Sequence, residues 1–210
     1  MEKEKSPAIV ILAAGLGKRM RSDLPKVVVP TRQGPMLHHV LDSASALAPE
    51  ITVIITGHKR ELVEEVALQF GFKYPLGFAF QETQEGTGHA VRCAETLLKK
   101  CSDDVLILSG DVPLIQASTL HAFLEFHQSQ DSTVSIISTV LPEPGNLGRV
   151  ERNNATGAFE RIVEAKDCSA EQLKINEING GIYAVRGSFL WKALHSLNNN
   201  NAQKEYYLTD

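Results

Sequence analysis

The sequence predicts an α/β fold: a doubly wound, mainly parallel sheet with added β-structure in its second half. Three observations point there. The apolar runs Ile9–Leu12, Ile51–Ile55 and Val105–Leu108 are short and continuously hydrophobic, as strands buried on both faces are. Segments of helical spacing lie between them, so strands and helices alternate as in βαβ units. After Ser132 that alternation gives way to short strand-like runs separated by turns.

The elements follow in order. Ile9–Leu12 opens the chain as a buried strand. Leu37, Val40, Leu41, Ala44 and Leu47 mark a helix over 36–48, and the strand at 51–55 follows it. Leu62, Val63, Val66, Ala67 and Phe70 mark a second helix, and Gly77–Phe80 reads as a strand. Ala90, Val91, Ala94, Leu97 and Leu98 predict a third helix, with Thr87 as its N-cap. Val105–Leu108 is the next strand, and Leu120, Phe123 and Leu124 sit on another helix. Thr133–Val140, the region of Val150, Phe159–Val163 and Gly181–Val185 are further strands, and Asn198–Asn201 reads as a polar loop. The chain of 210 residues is expected to form one domain, with its two halves over 1–132 and 133–210.

Composition narrows the function. Hydrophobic residues make up 43% of the chain, enough for a sizeable core, and the net charge of −4 offers no global basic field for nucleic acid. The three cysteines, Cys93, Cys101 and Cys168, have no metal-ligand spacing, and their odd count fits a reducing compartment. No signal peptide is visible, and no stretch approaches the roughly 20 apolar residues of a membrane span. A cytoplasmic protein, engaging neither membrane nor nucleic acid, is expected.

The first strand ends in Ala13-Ala14-Gly15-Leu16-Gly17, and Lys18, Arg19, Arg21 and Lys26 follow. Glycines let backbone N–H groups approach a ligand, and such a loop backed by cations is suited to phosphates. The dinucleotide fingerprint fails because Met20 stands where a third glycine is needed, and the P-loop spacing is absent. Ser109-Gly110-Asp111-Val112-Pro113 follows another strand, so Asp111 either caps the next turn or holds a hard cation such as Mg²⁺ beside the cationic loop. Gln81 to Ala90 runs from a strand end into a helix N-terminus. Gln81 could read a base edge, and Gly86 and Thr87 lie where helix N–H groups are unsatisfied, or the segment is simply a capped helix start. His89 reads as a packing or hydrogen-bonding histidine, and the pair His38-His39 carries no assigned chemistry.

The string LAAGLGKRM with Pro25-Lys26 resembles the signature of the sugar-nucleotide pyrophosphorylases. With QETQEGTGHA, GDVPL, Gly148-Arg149-Val150, Val163 to Asp167, Glu177-Ile178-Asn179 and NNNNAQKEYYLTD, the chain resembles the N-terminal uridylyltransferase domain of the bacterial bifunctional enzymes of UDP-GlcNAc synthesis. These stretches span essentially the whole chain. The resemblance implies a Rossmann-like fold of the nucleotide-diphospho-sugar transferase type. It implies the reaction of UTP with N-acetylglucosamine 1-phosphate, a step toward peptidoglycan precursors and cell wall. It implies nucleotide contacts from Leu12, Ala14, Gly15, Gly17, Gln81, Gly86 and Thr87, with Arg19 and Lys26 as catalytic cations and Asp111 holding Mg²⁺. Gly148, Glu164, Asn179, Tyr207 and Thr209 are the implied sugar-phosphate pocket, which makes 1–132 the nucleotide-binding half and 133–210 the sugar-phosphate-binding half of a nucleotidyltransferase domain expected to be truncated at its C-terminal end. The family usually has tyrosine at the position of Ser109 and threonine at that of Gly180. It also places a second metal ligand, an asparagine, and an acetyltransferase β-helix beyond Asp210. Assembly of the full-length form into a homotrimer through that further domain is therefore expected, as is fraying at Tyr207 and Thr209. The alternatives are a related nucleotidyltransferase of different base or sugar, and a sugar-nucleotide-binding module with weak or no turnover.

Overall fold

A computed structural model describes residues 6–15, 24–101 and 103–210. The chain runs β1 (Ala8–Leu12), a 3-10 turn at Lys26–Val28, β2 (Pro30–Thr31), β3 (Gly34–Pro35), α1 (Met36–Ser45), β4 (Ile51–Thr56), α2 (Arg60–Gln69), β5 (Leu76–Phe80), α3 (Thr87–Arg92), α4 (Glu95–Leu98), β6 (Asp104–Ser109) and α5 (Ala117–Ser129). It continues through β7 (Val134–Val140), β8 (Arg149–Arg152), β9 (Phe159–Val163), a 3-10 turn at Gln172–Lys174, β10 (Glu177–Arg186) and α6 (Gly187–Ser196). β2 and β3 form a small hairpin of their own, and the other eight strands form one sheet.

The first half of that sheet is parallel. β4 and β6 flank β1, and β5 lies outside β4. Successive side chains of a strand point to opposite faces, so each strand must feed two cores. Ile9, Ile11, Ile54, Leu106 and Leu108 pack with α1, α2 and α5. Ala8, Val10, Val53, Ile55, Val105 and Ile107 pack on the other face with α3 and α6. This two-sided burial is why the strands read as unbroken apolar runs.

β10 carries the sheet from its parallel half into an antiparallel one. Its Tyr183–Arg186 end pairs β6, its Ile178 pairs Arg149 of β8, and β7 pairs both ends of it. The register shifts between Asn179 and Tyr183, where Gly181 has a φ of 72°. β9 completes the sheet against β8.

Several expectations shift. The helix over 90–98 is two, α3 and α4, and the residue capping α3 is Gly86, not Thr87. Gly86 has a φ of 110° and ψ of 173°, a conformation essentially restricted to glycine, so the chain turns there and Thr87 already lies inside the helix. β10 begins at Glu177, well before Gly181. α6 was not anticipated, although Leu190, Trp191 and Leu194 have helical spacing. Among the described residues no helix is long and apolar enough to cross a membrane.

Candidate functional site

A cavity of about 580 Å³ opens at the carboxyl ends of β1, β5 and β6. Crevices outside strand carboxyl ends are where doubly wound sheets bind ligands. Each wall comes from a different strand-end loop. β1 delivers Leu12, Ala14 and Gly15; β5 delivers Gln81 and, through the turn into α3, Gly86 and Thr87; β6 delivers Ser109 and Asp111; the 3-10 turn delivers Lys26. Eight of the residues expected at a nucleotide or phosphate site therefore line one cavity. Gly17 and Arg19 lie outside the described residues.

The loops are locked to one another. The Gly110 N–H donates to the Leu12 carbonyl at 2.9 Å, and a Cβ on Gly110 would stand 2.9 Å from the same oxygen. Only glycine allows the β1 and β6 loops to approach this closely. Gln84 donates its side-chain N–H to the Ala14 carbonyl at 2.5 Å, joining the β5 loop to the β1 loop. Buried Val27 and Val28 anchor the turn that carries Lys26.

The charged pair at the cavity floor is Lys26 and Asp111. Lys26 Nζ lies 2.7 Å from Asp111 Oδ2, and the Ser109 hydroxyl donates to Asp111 Oδ1 at 2.7 Å. Burial raises the pKa of Asp111, but the Lys26 and Ser109 hydrogen bonds outweigh it and hold the carboxyl below its ordinary range. An ionised carboxylate with a cation beside it thus faces the cavity. Among the described residues no group of three or more His, Cys, Asp or Glu is arranged to hold a metal. A lone carboxylate fits Mg²⁺, which takes one or two carboxylates and completes its shell with phosphate oxygens and water.

The β5 side of the cavity is built on Gln81, which is only 4% exposed. Its side-chain N–H₂ lies 3.0 Å from the Gly86 carbonyl and 3.1 Å from His89 Nδ1. His89 is therefore a hydrogen-bonding histidine, as its position inside the helix suggested.

The second set of expected residues forms its own cluster beside the cavity. The Asn179 N–H donates to the Gly148 carbonyl at 2.9 Å. The Thr209 hydroxyl donates to Glu164 Oε1 at 3.1 Å, and a Cβ on Gly148 would lie 3.4 Å from that oxygen. Asn179 Nδ2 donates to the Tyr183 hydroxyl, and its Oδ1 accepts the Gly181 N–H. Tyr207 is buried and its hydroxyl accepts from Gln203. Burial lifts the Glu164 carboxyl above its ordinary range despite the Thr209 bond, and Asp210, Asp167 and Glu205 add to the rise.

Tyr207 and Thr209, expected to fray, are bonded into the fold. The segment after α6 is strapped across the start of α3: the Tyr206 N–H donates to the Glu85 carbonyl at 2.7 Å, and the Tyr206 carbonyl accepts the Gly88 N–H at 2.8 Å. The Leu208 N–H donates to Thr87 Oγ1 at 3.0 Å, which is the use of the threonine expected to cap α3. The strap also brings Glu205 into the cavity wall. Glu205 escaped sequence reasoning because nothing local marks it. Gln84 and Ser109 lay inside quoted motifs, but their partners are distant in sequence or set by geometry.

Asp104, His127 and Ser135 also align, with His127 Nδ1 2.8 Å from Ser135 Oγ and Nε2 3.6 Å from Asp104 Oδ1. His127 is 1% exposed, so this trio braces α5 against β6 and β7 and offers a substrate no approach.

The profile of the MobA-like NTP transferase domain matches residues 9–158. The chain belongs to the MobA-like NTP transferase domain family. Among curated relatives, the bifunctional protein GlmU of Desulfotalea psychrophila is 44% identical over all 210 residues, which cover 60% of its length. GlmU of Burkholderia thailandensis is 48% identical over 202 residues, covering 96% of this chain and 43% of that protein. The chain thus spans about half the length of the curated relatives it matches. The NTP transferase fold is shared with a UDP-glucose pyrophosphorylase solved in complex with UDP-glucose, at a TM-score of 0.79 and 17% identity over 98% of this chain and 84% of that one.

Proposed function

We propose that the chain transfers a uridylyl group from UTP to N-acetylglucosamine 1-phosphate, giving UDP-N-acetylglucosamine and pyrophosphate in the cytoplasm. The observation that carries the reading is the meeting of Ala14, Lys26, Gln81, Thr87 and Asp111 in one strand-end cavity, in a chain resembling GlmU proteins along its whole length. Uracil lies against Gln81, Gly86 and Thr87, and the triphosphate runs along the β1 loop past Leu12, Ala14 and Gly15, with Gly17 an expected contact outside the described residues. The sugar phosphate occupies the cluster of Gly148, Glu164, Asn179 and Thr209, with Tyr207 behind it.

The chemistry needs little beyond this. A phosphate-monoester oxygen of the sugar phosphate attacks the α-phosphorus of UTP, and the bond to the bridging oxygen of the β-phosphate breaks. With a second pKa of about 6, a phosphate monoester is already mostly dianionic near neutral pH, so no general base is required. The obstacle is the approach of two polyanions. Lys26, with Arg19 as its expected companion, stabilises negative charge on the α-phosphoryl group and on the departing pyrophosphate. Asp111 is the residue that would hold Mg²⁺, which when bound supplies charge neutralisation on phosphate oxygens. Glu164 and Asn179 supply the polar contacts that separate N-acetylglucosamine from glucose.

The test is a substrate panel with Mg²⁺, crossing UTP, CTP, GTP and dTTP with the 1-phosphates of N-acetylglucosamine and glucose, followed by pyrophosphate release. UDP-N-acetylglucosamine should form fastest, and EDTA should stop it. Faster turnover with another pair would identify a related nucleotidyltransferase. Binding of UDP-N-acetylglucosamine with no turnover of any pair would make the chain a binding module.

A further inference from the structure

We infer that His89 is a positioning residue for base selection: its Nδ1 holds the Gln81 amide in the one orientation that accepts from uracil and rejects cytosine. This rests on the uridylyl reading above. Gln81 has a donor end and an acceptor end of nearly equal size, and which end faces a base decides which base fits. At the buried Gln81 the choice is made by two neighbours. The Gly86 carbonyl, 3.0 Å from Nε2, can only accept. His89 Nδ1, 3.1 Å from the same nitrogen, accepts as well when the imidazole carries its proton on Nε2. The Glu85 carboxylate, 3.9 Å from Nδ1, is beyond hydrogen-bond distance. Both N–H bonds of the Gln81 amide are therefore spent on protein acceptors, and Oε1 is the end left for a ligand.

That end matches uracil, whose N3 carries a hydrogen. Cytosine presents a bare lone pair at N3, so Oε1 would meet an acceptor and both groups would stay unpaired. A site built to bond a group rejects the analogue lacking it for this reason. Rotating the amide to suit cytosine would turn Oε1 onto the Gly86 carbonyl and require His89 to move its proton to Nδ1. Gly86 alone opposes the rotation by repulsion; His89 adds an attraction that the rotation breaks. Its place in α3, with a side chain only 17% exposed, keeps the ring from swinging away.

The experiment compares wild type, His89→Leu and His89→Asn for kcat/KM with UTP and with CTP, at saturating N-acetylglucosamine 1-phosphate. Leucine removes the acceptor. Asparagine returns an oxygen close to the position of Nδ1. In His89→Leu the UTP-over-CTP preference should fall by about tenfold, the worth of one neutral hydrogen bond, through a higher KM for UTP at nearly unchanged kcat. The KM for the sugar phosphate should hold, and His89→Asn should restore most of the preference. A wild type indifferent to base overturns the uridylyl reading itself. A wild type that selects UTP beside a His89→Leu enzyme that selects it equally overturns only the role of His89. Should His89→Leu fail to fold, ¹⁵N NMR of the wild-type imidazole decides. A proton on Nε2 with Nδ1 bare supports the inference, and a proton on Nδ1 refutes it.

Discussion

The cavity at the ends of β1, β5 and β6 and the cluster at Gly148, Glu164, Asn179 and Thr209 lie side by side but are held by different means. The cavity is walled by backbone at the ends of parallel strands, whose positions are set by two packed cores. The cluster is held by side chains and single backbone bonds between segments far apart in the chain, with Thr209 reaching Glu164 across 45 residues. Most of the first arrangement follows from the sheet, with Gln84 joining two of its loops and Glu205 coming from the strap. The second exists only once β8, β9, β10 and the strap have all docked. The strap ties the two together, since it bonds to the Glu85–Gly88 turn on one side and to Glu164 on the other. A change in the cavity should therefore read out in one kinetic constant, and a change at the strap in several.

The largest expected effect is at the cavity floor. Lys26→Ala should lower kcat by about 10²–10³, the usual loss when one preorganised electrostatic contact to a developing charge is removed, with thermal stability nearly intact. The Lys26 side chain is 39% exposed, so its removal leaves no buried void. A variant with near-normal kcat would move the charge-stabilising role away from the Lys26–Asp111 pair.

A smaller and broader loss is expected from Gly86→Ala. The added Cβ would stand 2.5 Å from the Tyr206 carbonyl oxygen and 2.8 Å from the Tyr206 nitrogen, at a φ of 110° that side chains resist. Backbone strain of this kind costs on the order of 1–3 kcal/mol, and the strap must also shift. The KM for UTP and the KM for the sugar phosphate should both rise. A rise confined to UTP would show that the strap does not link the two pockets.

The smallest effect is at Glu164 and depends on pH. Burial holds this carboxyl above its ordinary range, so the folded state keeps the proton to a higher pH than the unfolded chain does. The associated stability is full below the unfolded pKa and is lost as pH rises through the folded one. Glu164→Gln keeps an acceptor for Thr209 and cannot ionise. Its melting temperature should equal wild type in acid and exceed it by roughly 1–3 °C near neutral pH, while selectivity for the N-acetyl sugar weakens. A variant less stable at neutral pH would show that the ionised carboxylate is well accommodated.

How much of this could be read beforehand differs between the two regions for a physical reason. Leu12, Ala14, Gly15, Gln81 and Asp111 could be placed together because each lies at the end of an apolar strand or in the loop just after it, and strand-end loops of a parallel sheet converge on one edge whatever else the chain does. The use of Thr87 was misjudged because its partner, the Leu208 N–H, is 121 residues away. Glu205 went unnoticed for the same reason. Fraying was expected at Tyr207 and Thr209 because chain termini fray unless tied down, yet Tyr207 is buried and its neighbours are bonded.

The sequence by itself determined where the strands of the first half lie, that both their faces are buried, and which loops could cradle phosphate, because continuous apolar runs and glycine-rich turns are local properties. Tertiary structure alone decided that β10 would pair with β6, β7 and β8 at once, that Ser109 and Lys26 would divide the two oxygens of Asp111, and that the Gln81 amide nitrogen would meet the Gly86 carbonyl and His89. Antiparallel register, hydrogen-bond partners and amide orientation depend on atoms that meet only after the chain has folded, and no period in the sequence encodes them.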